Sequence, residues 1–580
     1  MLRRGLSVVL GVMLVGFVAA PGAARAAGPT ITAIQPSSGP LGTRVIIRGT
    51  ALAGATAVTF NGTRATISSV AASAIRTRVP VGASTGKIAV TTPTRTVRSQ
   101  ATFTVTEGIV LSASVGPPST IVRVSGSGFT PGGGVSLLID GAMQGTITAS
   151  AQGTFIRAAV TVPADALPGT HEVQARDAAL SSTVSQPFTV QTDWPSFRNG
   201  PTNLGVNATE HIISTANVGN LALAWSSTTN GQPMTGTPVL ARGILYVSRQ
   251  DGWLLAFDAT GCSSPPCAPL WKGKTGPELE TGAAVANGVV FVGGYGDRLY
   301  AFDAAGCGTA TCSPLWTSIT LPGEINGAPN VVNGVVYFGG ADRVWAFSAN
   351  GCGSATCSPL WHGKAHYRIS GMDNTPAVSG GTLYIGSNEG NLYAYDAHGC
   401  GSTTCDELWK SPQYTGIYTS PAVDDGFVFV SQYSHSLMAF PAGGCAATTC
   451  LPAWTAPVGS GTVSSAAVAD GTLYVGSDDH RLYAFAEAGC GAATCPRLWR
   501  TDATGDQIWS SPTVANGVVY AGSFDGMIYA WDAAGCGSAT CSPLWSSPAT
   551  GGPIENSAII ADGMVFAGSD DGSVYAYTLP

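Results

Sequence analysis

The chain has 580 residues, which is too long for a single ordinary core and indicates several domains or a large repeat array. Hydrophobic residues make up 44% of the sequence, so a disordered chain is excluded. Only 11% of the residues are charged, and they sum to −7 without a run of like charges. A nucleic-acid-binding protein would show a basic patch, so this class is disfavoured and no nucleic acid is expected as a partner.

The first 26 residues predict a secretory signal peptide. Arg3 and Arg4 precede an apolar stretch at 6–20, and residues 24–26 (Ala-Arg-Ala) have the small-residue pattern of a cleavage site. The alternative is a membrane anchor, but the apolar stretch is shorter than the ~20 residues that a span requires. The first cysteine is Cys262, far from the cut. The sequence therefore predicts a secreted or extracytoplasmic protein that is not a lipoprotein and whose mature chain has no transmembrane segment.

All 14 cysteines occur in pairs separated by four residues, and the first members of successive pairs are 45 to 48 residues apart. A period of this size indicates a solenoid, a propeller or an array. Two thiolates per repeat are too few for a structural zinc site, which uses four ligands. In an exported chain with an even number of cysteines, local disulfides are the better interpretation. The predicted bridges are Cys262–Cys267, Cys307–Cys312, Cys352–Cys357, Cys400–Cys405, Cys445–Cys450, Cys490–Cys495 and Cys536–Cys541.

Each repeat also carries two further signatures. An alanine between two large residues precedes every cysteine pair and recurs after the last one, and a tryptophan follows every pair and also precedes the first. Both signatures therefore occur eight times. Between them lie two strand signals joined by turns such as Asp470-Gly471, which are typical of two-residue hairpins. Each repeat is predicted to be four short antiparallel strands, the blade of a propeller.

The counts also predict how the ring closes. Eight tryptophan strands and eight alanine strands would need eight connecting loops in a continuous ring, but only seven cysteine loops exist. The missing connection is the place where the chain enters and leaves the ring. We therefore expect the strand around Trp225 to pair with the C-terminal strand around residues 575–577, which also removes an exposed sheet edge.

The stretch from Ala256 to Gly261 (Ala-Phe-Asp-Ala-Thr-Gly) resembles the first half of the tryptophan-docking motif A-x-D-x-x-T-G-K-x-x-W of quinoprotein propellers, the pyrroloquinoline quinone (PQQ) type. Residues 301–306 and 530–535 match almost as well, and residues 193–198 (Asp-Trp-Pro-Ser-Phe-Arg) are similar to the usual lead-in of such propellers. The resemblance covers residues 192–580. It implies an eight-bladed β-propeller in which the tryptophan of one blade packs against the alanine of its neighbour.

Two smaller units precede the repeats. Residues 27–106 resemble an IPT/TIG immunoglobulin-like domain, with matching stretches at 34–49 and 103–105, and residues 107–191 repeat the theme more loosely. The predicted fold class is therefore all-β, with two N-terminal Ig-like β-sandwiches followed by an eight-bladed β-propeller closed by pairing of its N- and C-terminal strands. A structural spacer is the simpler role for each sandwich, and binding to a carbohydrate or a surface is the alternative.

The family resemblance also suggests an enzyme, the PQQ-dependent quinoprotein dehydrogenase. Such enzymes use a vicinal Cys-Cys disulfide over the quinone, acidic Ca²⁺ ligands and a catalytic aspartate. The sequence has no Cys-Cys dipeptide and no C-x-x-C-H haem site, and most of its aspartates fall in Asp-Gly turns. No metal or cofactor is therefore expected, and PQQ with Ca²⁺ belongs only to the enzyme alternative. The preferred hypothesis is an exported, monomeric, non-catalytic binding or scaffold protein with an unidentified protein or polysaccharide partner.

The connections that follow each tryptophan should surround one mouth of the propeller channel, opposite the cysteine loops. Pockets there need a few convergent polar groups. The longest connection runs from Trp361 to Gly381 and is rich in functional side chains. An ordinary solvated loop is the simpler interpretation, and a ligand-binding loop is the sharper one. The candidate ligand-binding residues are His366, Tyr367, Arg368 and Asp373 in this loop and Glu280, Glu324, Tyr418 and Trp509 in the neighbouring connections.

Overall fold

A computed structural model of the protein describes residues 28–228, 231–340, 342–364 and 374–580, so the predicted signal peptide lies outside the described residues. Within these ranges the chain forms β-strands and one 3-10 helix, Val218–Asn220, which confirms the all-β fold class. No helix in the described ranges has the length and apolarity to cross a membrane. The chain divides into two compact units, one of residues 28–114, 121–161 and 171–187 and one of residues 115–120, 162–170 and 188–580, and each is described by itself.

The N-terminal domain is a sandwich of two sheets that are antiparallel apart from the short parallel pairing of Ser38–Gly39 with Thr96–Val105. Apolar side chains alternate along its strands, so that Val45 and Ile47 of one sheet and Phe60 and Phe103 of the other are buried between the sheets. The first sheet consists, in spatial order, of Thr30–Gln35, Arg44–Thr50, Ala74–Arg78 and Ile67–Val70. The second consists of Ser38–Gly39, Thr96–Val105, Gly86–Thr91, Ala57–Phe60 and Thr63–Ala65.

Residues 108–190 form two further sheets, on whose strands Val122, Val124 and Leu137 are buried. The smaller sheet consists of Gly108–Leu111, Ile121–Ser127 and Thr154–Thr161. The larger consists of Val115–Gly116, Thr183–Val190, Gly169–Asp177, Gly134–Ile139 and Ala142–Thr148.

The repeats form eight sheets, each with four main strands that follow one another in order from the channel outward. We number the sheets 1 to 8 along the chain. Sheets 1 and 2 are Val239–Ala241, Ile244–Arg249, Trp253–Asp258 and Trp271–Lys274, and Ala284–Ala286, Val289–Gly294, Arg298–Asp303 and Trp316–Ser318. Sheets 3 and 4 are Asn330–Val332, Val335–Gly340, Arg343–Ser348 and Trp361–Gly363, and Ala377–Ser379, Thr382–Gly386, Leu392–Asp396 and Trp409–Lys410.

Sheets 5 and 6 are Ala422–Asp424, Phe427–Gln432, Ser436–Pro441 and Trp454–Pro457, and Ala467–Ala469, Thr472–Ser477, Arg481–Ala486 and Trp499–Thr501. Sheets 7 and 8 are Thr513–Ala515, Val518–Gly522, Ile528–Asp532 and Trp545–Ser546, and Ile559–Ala561, Met564–Gly568, Ser573–Thr578 and Ala222–Thr228. The first strands of neighbouring sheets contact one another, so they surround a central channel. An Asn-Gly or Asp-Gly pair forms the first hairpin turn of most sheets. This kind of turn requires positive φ at both residues, as at Asn287 (52°) and Gly288 (79°).

Each tryptophan docks on the next sheet along the chain. Trp271 lies opposite Ala256 of its own sheet and contacts the following sheet at Gly306, where an added Cβ would stand 2.6 Å from the Trp271 ring. Gly306 immediately precedes a cysteine loop, and the same contact recurs at all seven loops. The structure therefore corrects one implication of the resemblance, because the alanine partners its own sheet's tryptophan and the neighbour supplies a glycine. A β-carbon at this glycine would push the tryptophan away.

All seven predicted disulfides are present, and no cysteine is free among the described residues. Each bridge closes a short loop, and the second cysteine of the loop reaches back to the outer strand of the preceding sheet. Gly273 and Cys312 illustrate this parallel pairing between sheet 1 and the next loop. The bridges therefore fasten neighbouring sheets at their outer edge as well as stapling their own loops.

The ring closes between the two ends of the repeat region. Trp225 pairs with Ala576 in an antiparallel ladder that runs from Ala222 to Thr228 and from Ser573 to Thr578, which confirms the predicted pairing. Because no cysteine loop exists at this junction, Trp545 of sheet 7 docks instead on the segment before Trp225. Its indole Nε1 donates to the carbonyl of Leu221 at 3.2 Å.

Residues 192–207, which we call the lead-in, follow the first strands around the channel. The backbone carbonyls of Pro195, Pro201, Thr202, Leu204 and Gly205 accept hydrogen bonds of 2.7–2.9 Å from first-strand amides of five sheets; the donors are Val285, Val378, Val423, Val468 and Val514. Trp194 pairs with Leu240 of sheet 1, and the Asn207 side chain donates to Ile560 of sheet 8. The lead-in thus bonds to sheets 1, 2, 4, 5, 6, 7 and 8 along their first strands, and Asn330 of sheet 3 donates to Pro201.

Arg198 lies at the centre of the lead-in and is 1% exposed. Its guanidinium donates to the carbonyls of Pro512 (2.5 Å) and Ala466 (2.6 Å), which belong to two different sheets. The lead-in begins at the hairpin end of the channel, where the Thr192 amide donates to Asp562 and the Asp193 carboxylate accepts from the Arg242 amide. The opposite mouth is the end at which the chain enters each first strand.

Removing the C-terminal strand should open the ring. Deletion of Val574–Pro580 leaves the strand around Trp225 without its partner and exposes two sheet edges, so we expect aggregation or a large loss of melting temperature. Deletion of the exposed Pro580 alone is the control and should leave the melting temperature unchanged. Thermal unfolding followed by light scattering measures both. Equal melting of parent and long truncation would show that another contact closes the ring.

Replacing Arg198 should loosen the lead-in. Arg198→Met removes two charge-assisted hydrogen bonds to buried carbonyls, each worth about 1.5–3 kcal/mol, so unfolding free energy should fall by about 3 kcal/mol or more. Arg242→Met, at an exposed arginine of the first hairpin, is the control and should stay within about 0.5 kcal/mol of the parent. Denaturant titration compares the two. If Arg198→Met lowers the unfolding free energy no more than the control does, Arg198 does not hold the lead-in in place.

Candidate functional site

In seven repeats a described residue lies where the chain enters the first strand, at the mouth opposite the lead-in. We call these seven residues, together with the equivalent sequence position before sheet 4, the mouth ring. They are spaced 45 to 47 residues apart and are Thr235, Glu280, Asn326, Asp373, Tyr418, Val463, Trp509 and Glu555. Asp373 lies outside the described residues. Six of the other seven line a single cavity of about 190 Å³, together with Pro233, Gln250 and Asp570.

The flanking residues force the mouth-ring side chains towards the channel. The residue before each described position is fully buried, as Leu279 and Ile508 show. The residue after it is small or polar, and wherever it is not glycine its side chain is hydrogen-bonded to the second strand. In sheet 7, for example, Ser510 Oγ donates to the carbonyl of Gly522 at 2.9 Å and accepts from its amide at 2.7 Å. The rigid sheets therefore hold the cavity side chains in place.

Two mouth-ring side chains, Glu280 and Trp509, sit between the turn of their own sheet and the turn of the preceding one. Glu280 accepts from the hydroxyl of Tyr295 in its own sheet and from Gln250 Nε2 of the preceding sheet at 3.3 Å. Trp509 donates from Nε1 to Asp478 Oδ1 of the preceding sheet at 2.8 Å, and its ring centroid is 4.5 Å from that of Phe524 in its own sheet. The turn residues thus extend the site around the ring.

Glu555 and Asp570 form a pair of carboxyl groups in this cavity. Burial raises the pKa of Asp570 to about 6, the hydrogen bond with Glu555 opposes this shift, and the negative charge of Asp571 adds to it. Asp570 Oδ1 and Asn326 Oδ1 are buried and have no hydrogen-bond partner among the described residues. Buried acceptors of this kind require a donor from water or from a ligand.

The electrostatic character of the cavity is acidic. Its described lining contains three carboxyl groups, Glu280, Glu555 and Asp570, and no lysine or arginine. Trp509 adds the one aromatic face. Such a site can accept hydrogen bonds from hydroxyl or ammonium groups and can stack or hold a cation against the indole, and it repels an anionic ligand.

The structure brings some of the predicted site residues together and not others. Glu280 and Trp509 come together in the cavity. Glu324 is exposed and does not line it, and Tyr418 packs edge-on against Tyr433 at 5.7 Å, beside the cavity lining. The predicted loop residues His366, Tyr367, Arg368 and Asp373 lie outside the described residues. The sequence reasoning missed Gln250 and Asp570 in the turns and Thr235 and Val463 in the ring; alignment of the repeats at their period would have found all four.

A larger cavity of about 680 Å³ lies between sheets 3 and 4 at the opposite end. Its lining is mainly backbone, glycine and apolar side chains such as Val335 and Leu360, with His398 and Tyr337 as its ionisable groups. It lacks the convergent polar groups that distinguish the mouth cavity. We therefore take the mouth ring as the candidate site.

Comparison with known proteins shows the family of the repeat region. Residues 267–489 and 490–579, more than half of the chain, match the family model described as outer membrane protein assembly factor BamB, whose propeller repeats are of the PQQ type. The chain belongs to this family. Residues 29–105 match the IPT/TIG domain model, so the N-terminal sandwich is a TIG domain. No curated protein matches the chain at a significant level.

Solved structures share the BamB-like propeller fold at low sequence identity. A europium-containing methanol dehydrogenase is 15% identical, with a TM-score of 0.50 over 67% of this chain and 98% of its own. The quinohemoprotein alcohol dehydrogenase of Comamonas testosteroni is 16% identical, with a TM-score of 0.49 over 67% and 80% of the two chains. BamB from Moraxella catarrhalis is 15% identical, with a TM-score of 0.48 over 62% and 99%. At this identity the likeness concerns the fold alone.

The described mouth of this BamB-like propeller does not suit the quinone that some propellers of this fold carry. PQQ is a tricarboxylate, and the described lining offers it carboxyl groups without a cationic side chain. No group of three or more His, Cys, Asp or Glu side chains in the described ranges could hold a metal ion. The chain also lacks a Cys-Cys dipeptide. We therefore derive no reaction step through this cofactor.

The raised pKa of Asp570 predicts a pH-dependent stability effect. Because the folded protein holds this proton more tightly than the unfolded chain, the stabilising contribution is complete below the ordinary pKa of 3.8 and is lost as the pH rises through about 6. Asp570→Asn mimics the neutral acid. It should melt with the parent at pH 4 and about 1–2 °C above it at pH 8.

Asp571 provides the matched control, because its pKa is shifted in the opposite direction. Burial raises its pKa, but hydrogen bonds from Tyr575 Oη (2.7 Å), Gly551 N (2.9 Å) and Ser573 hold that pKa below its ordinary value. Its contribution is present above the ordinary pKa and is lost as the pH falls. Asp571→Asn should therefore melt below the parent at pH 8, and the difference should shrink at low pH. The same sign for both variants at pH 8 would contradict the assigned environments.

Proposed function

We propose that the protein is an exported, non-catalytic binding protein whose propeller holds a ligand or partner at the mouth ring. The observation that carries this proposal is the pair of buried, unpartnered oxygens of Asn326 and Asp570 in a cavity lined from six repeats. The family supports it, since the matching model is described as an assembly factor. The seven disulfides support an extracytoplasmic location, where such bonds persist.

The composition of the mouth ring supports binding of an asymmetric ligand. Equivalent backbone positions carry different chemistry, from Thr235 and Val463 to Glu280 and Trp509. If the ring were only structural, the same small set of residues would satisfy every repeat, as the glycine before each cysteine loop does. A rigid scaffold that presents different side chains at equivalent positions is suited to specific recognition.

The acidic, aromatic lining indicates the chemistry of the bound group. A sugar hydroxyl or the ammonium group of an amino sugar or a basic side chain would supply donors to Asn326 and Asp570 and would complement Glu280. At about 190 Å³ the cavity is smaller than the ~300–1,000 Å³ of pockets for drug-sized ligands. It therefore fits one ring or one side chain of a larger polymer or protein partner, which the rest of the mouth would contact.

The test is binding of the full chain to an array of neutral and amino-sugar oligosaccharides and to immobilised oligolysine. Glu280→Gln with Glu555→Gln removes two of the carboxylates in the cavity at nearly constant shape. For the probe that the parent binds, we expect the affinity of this variant to fall by at least about tenfold, because charge-assisted hydrogen bonds are stronger than neutral ones. Its melting temperature should stay within a few degrees of the parent.

Glu278→Gln with Glu324→Gln is the matched control. It removes the same charge from two of the connections that carry the mouth ring, but both residues are exposed and outside the cavity lining. Binding should fall by less than about threefold. An equal loss in both variants would contradict a defined cavity site. A quinone absorbance band after incubation of the chain with PQQ and Ca²⁺ would favour the dehydrogenase alternative instead.

A further inference from the structure

The TIG domain has a charge that the whole chain conceals. Residues 27–106 contain seven arginines, one lysine and no aspartate or glutamate, whereas the remainder of the chain carries 19 basic and 34 acidic side chains. All eight cationic side chains are exposed. A surface that serves solubility mixes the two signs of charge, and this one does not. The net charge of −7 for the chain therefore hides a strongly basic domain.

Four of the arginines lie on one face of the first TIG sheet. Side chains alternate along a strand, so Arg44 and Arg48 of one strand and Arg76 and Arg78 of its neighbour point outward, while Val45, Ile47 and Ile75 between them are buried. Arg44 is directly opposite Arg78 in the register. Like charges in this position destabilise a sheet, and no acidic residue of the domain offsets them.

This face is also concave. Arg44, Arg76 and Arg78 line a depression of about 620 Å³ together with Gln35, Ile46 and Ser68. Arg48 flanks it and donates from Nε to Gln35 Oε1 at 3.2 Å. Arg78 donates to the carbonyl of Gly42 at 2.9 Å, which orients its guanidinium without neutralising it. The arginines therefore line a depression whose volume is sufficient for several linked groups of a polymer.

We propose that this face of the TIG domain binds an anionic polysaccharide, a polymer that bears repeated carboxylate or phosphate groups. Guanidinium groups pair bidentately with both kinds of anion. Neighbouring strands are ~4.8 Å apart and alternate residues along a strand ~6.6 Å apart, so the four charges form a grid that can engage several anionic groups of one polymer. The site is separate from the mouth ring, and the inference goes beyond the proposed propeller function.

The observations favour a glycan over the other polyanions. Single-stranded nucleic acids are held by aromatic side chains that stack on the bases, and the two aromatic residues of the domain, Phe60 and Phe103, are buried in its core. Anionic membranes are bound by large apolar side chains as well as by charge, and the lining of the arginine face offers the half-buried Ile46 and the exposed Pro36 but no aromatic residue and no leucine. The seven disulfides of the chain indicate an oxidising compartment, where anionic polymers are those of the cell surface.

The test compares the full chain with two variants of equal charge. Arg44→Gln, Arg76→Gln and Arg78→Gln remove three of the four arginines of the face, and Arg64→Gln, Arg95→Gln and Arg98→Gln remove the same charge from the second sheet and its loops. Binding is measured on polygalacturonate, on a phosphorylated mannan, and on dextran as the neutral control, at 50 and 200 mM NaCl. Duplex DNA and anionic phospholipid vesicles are the competing polyanions.

The parent should bind polygalacturonate or the phosphomannan, with an affinity that falls at least about tenfold between the two salt concentrations, and should not bind dextran. The face variant should lose at least about tenfold in affinity and the second-sheet variant less than about threefold. The carboxylate and phosphate probes distinguish which anion is preferred. Relief of the Arg44–Arg78 repulsion should keep the melting temperature of the face variant at or above that of the parent.

If the face variant does not fold, Arg→Lys at the same three positions keeps the charge and removes the planar fork, and it should bind with intermediate affinity. Equal losses in the face and second-sheet variants would show that net charge alone attracts the polymer and would overturn the site. Absence of binding to both anionic glycans, or tighter binding to DNA or vesicles than to either glycan, would overturn the proposed ligand class.

Discussion

The contact on which the propeller depends is the docking of a tryptophan on the sheet that follows it. Each indole needs a neighbour without a β-carbon, and Gly306 and its equivalents supply it with positive φ immediately before a cysteine loop. The contact fixes the spacing between neighbouring sheets, and the loop beyond it pairs with the outer strand of the preceding sheet. At the junction of the two chain ends, Trp545 finds the carbonyl of Leu221 instead, so the pattern continues around the whole ring.

The two mouths of the channel differ because only one of them receives the lead-in. The lead-in carbonyls accept from amides in the first strands, and Arg198 donates to the carbonyls of Ala466 and Pro512 just before two of those strands, so these groups are committed to structure. The opposite mouth presents Glu280, Asn326, Trp509 and Glu555 from four different sheets, and the Oδ1 atoms of Asn326 and Asp570 there have no hydrogen-bond partner among the described residues. The lead-in residues are thus fixed by structural hydrogen bonds, whereas equivalent positions of the mouth ring carry different side chains.

Periodicity predicted the strands, the seven disulfides and the pairing of Trp225 with Ala576, because these follow from local spacing and from counting. It did not predict the lead-in, since residues 193–207 contact sheets hundreds of residues away and carry no period of their own. Only some of the cavity residues were predicted from the sequence. Glu280 and Trp509 stand out by residue type, but Asp570 resembled an ordinary turn aspartate, and the basic TIG face was hidden by averaging charge over the chain.

The central claim is that the lead-in is fixed to the first strands by structural hydrogen bonds. Hydrogen–deuterium exchange read by mass spectrometry tests it most directly at the first-strand amides of Val285, Val378, Val423, Val468 and Val514, which donate to lead-in carbonyls. The account predicts that these amides exchange only when the whole propeller unfolds, while the connections that carry the mouth ring exchange faster. Rapid exchange of the five valine amides, at rates equal to those of the surface loops, would contradict it.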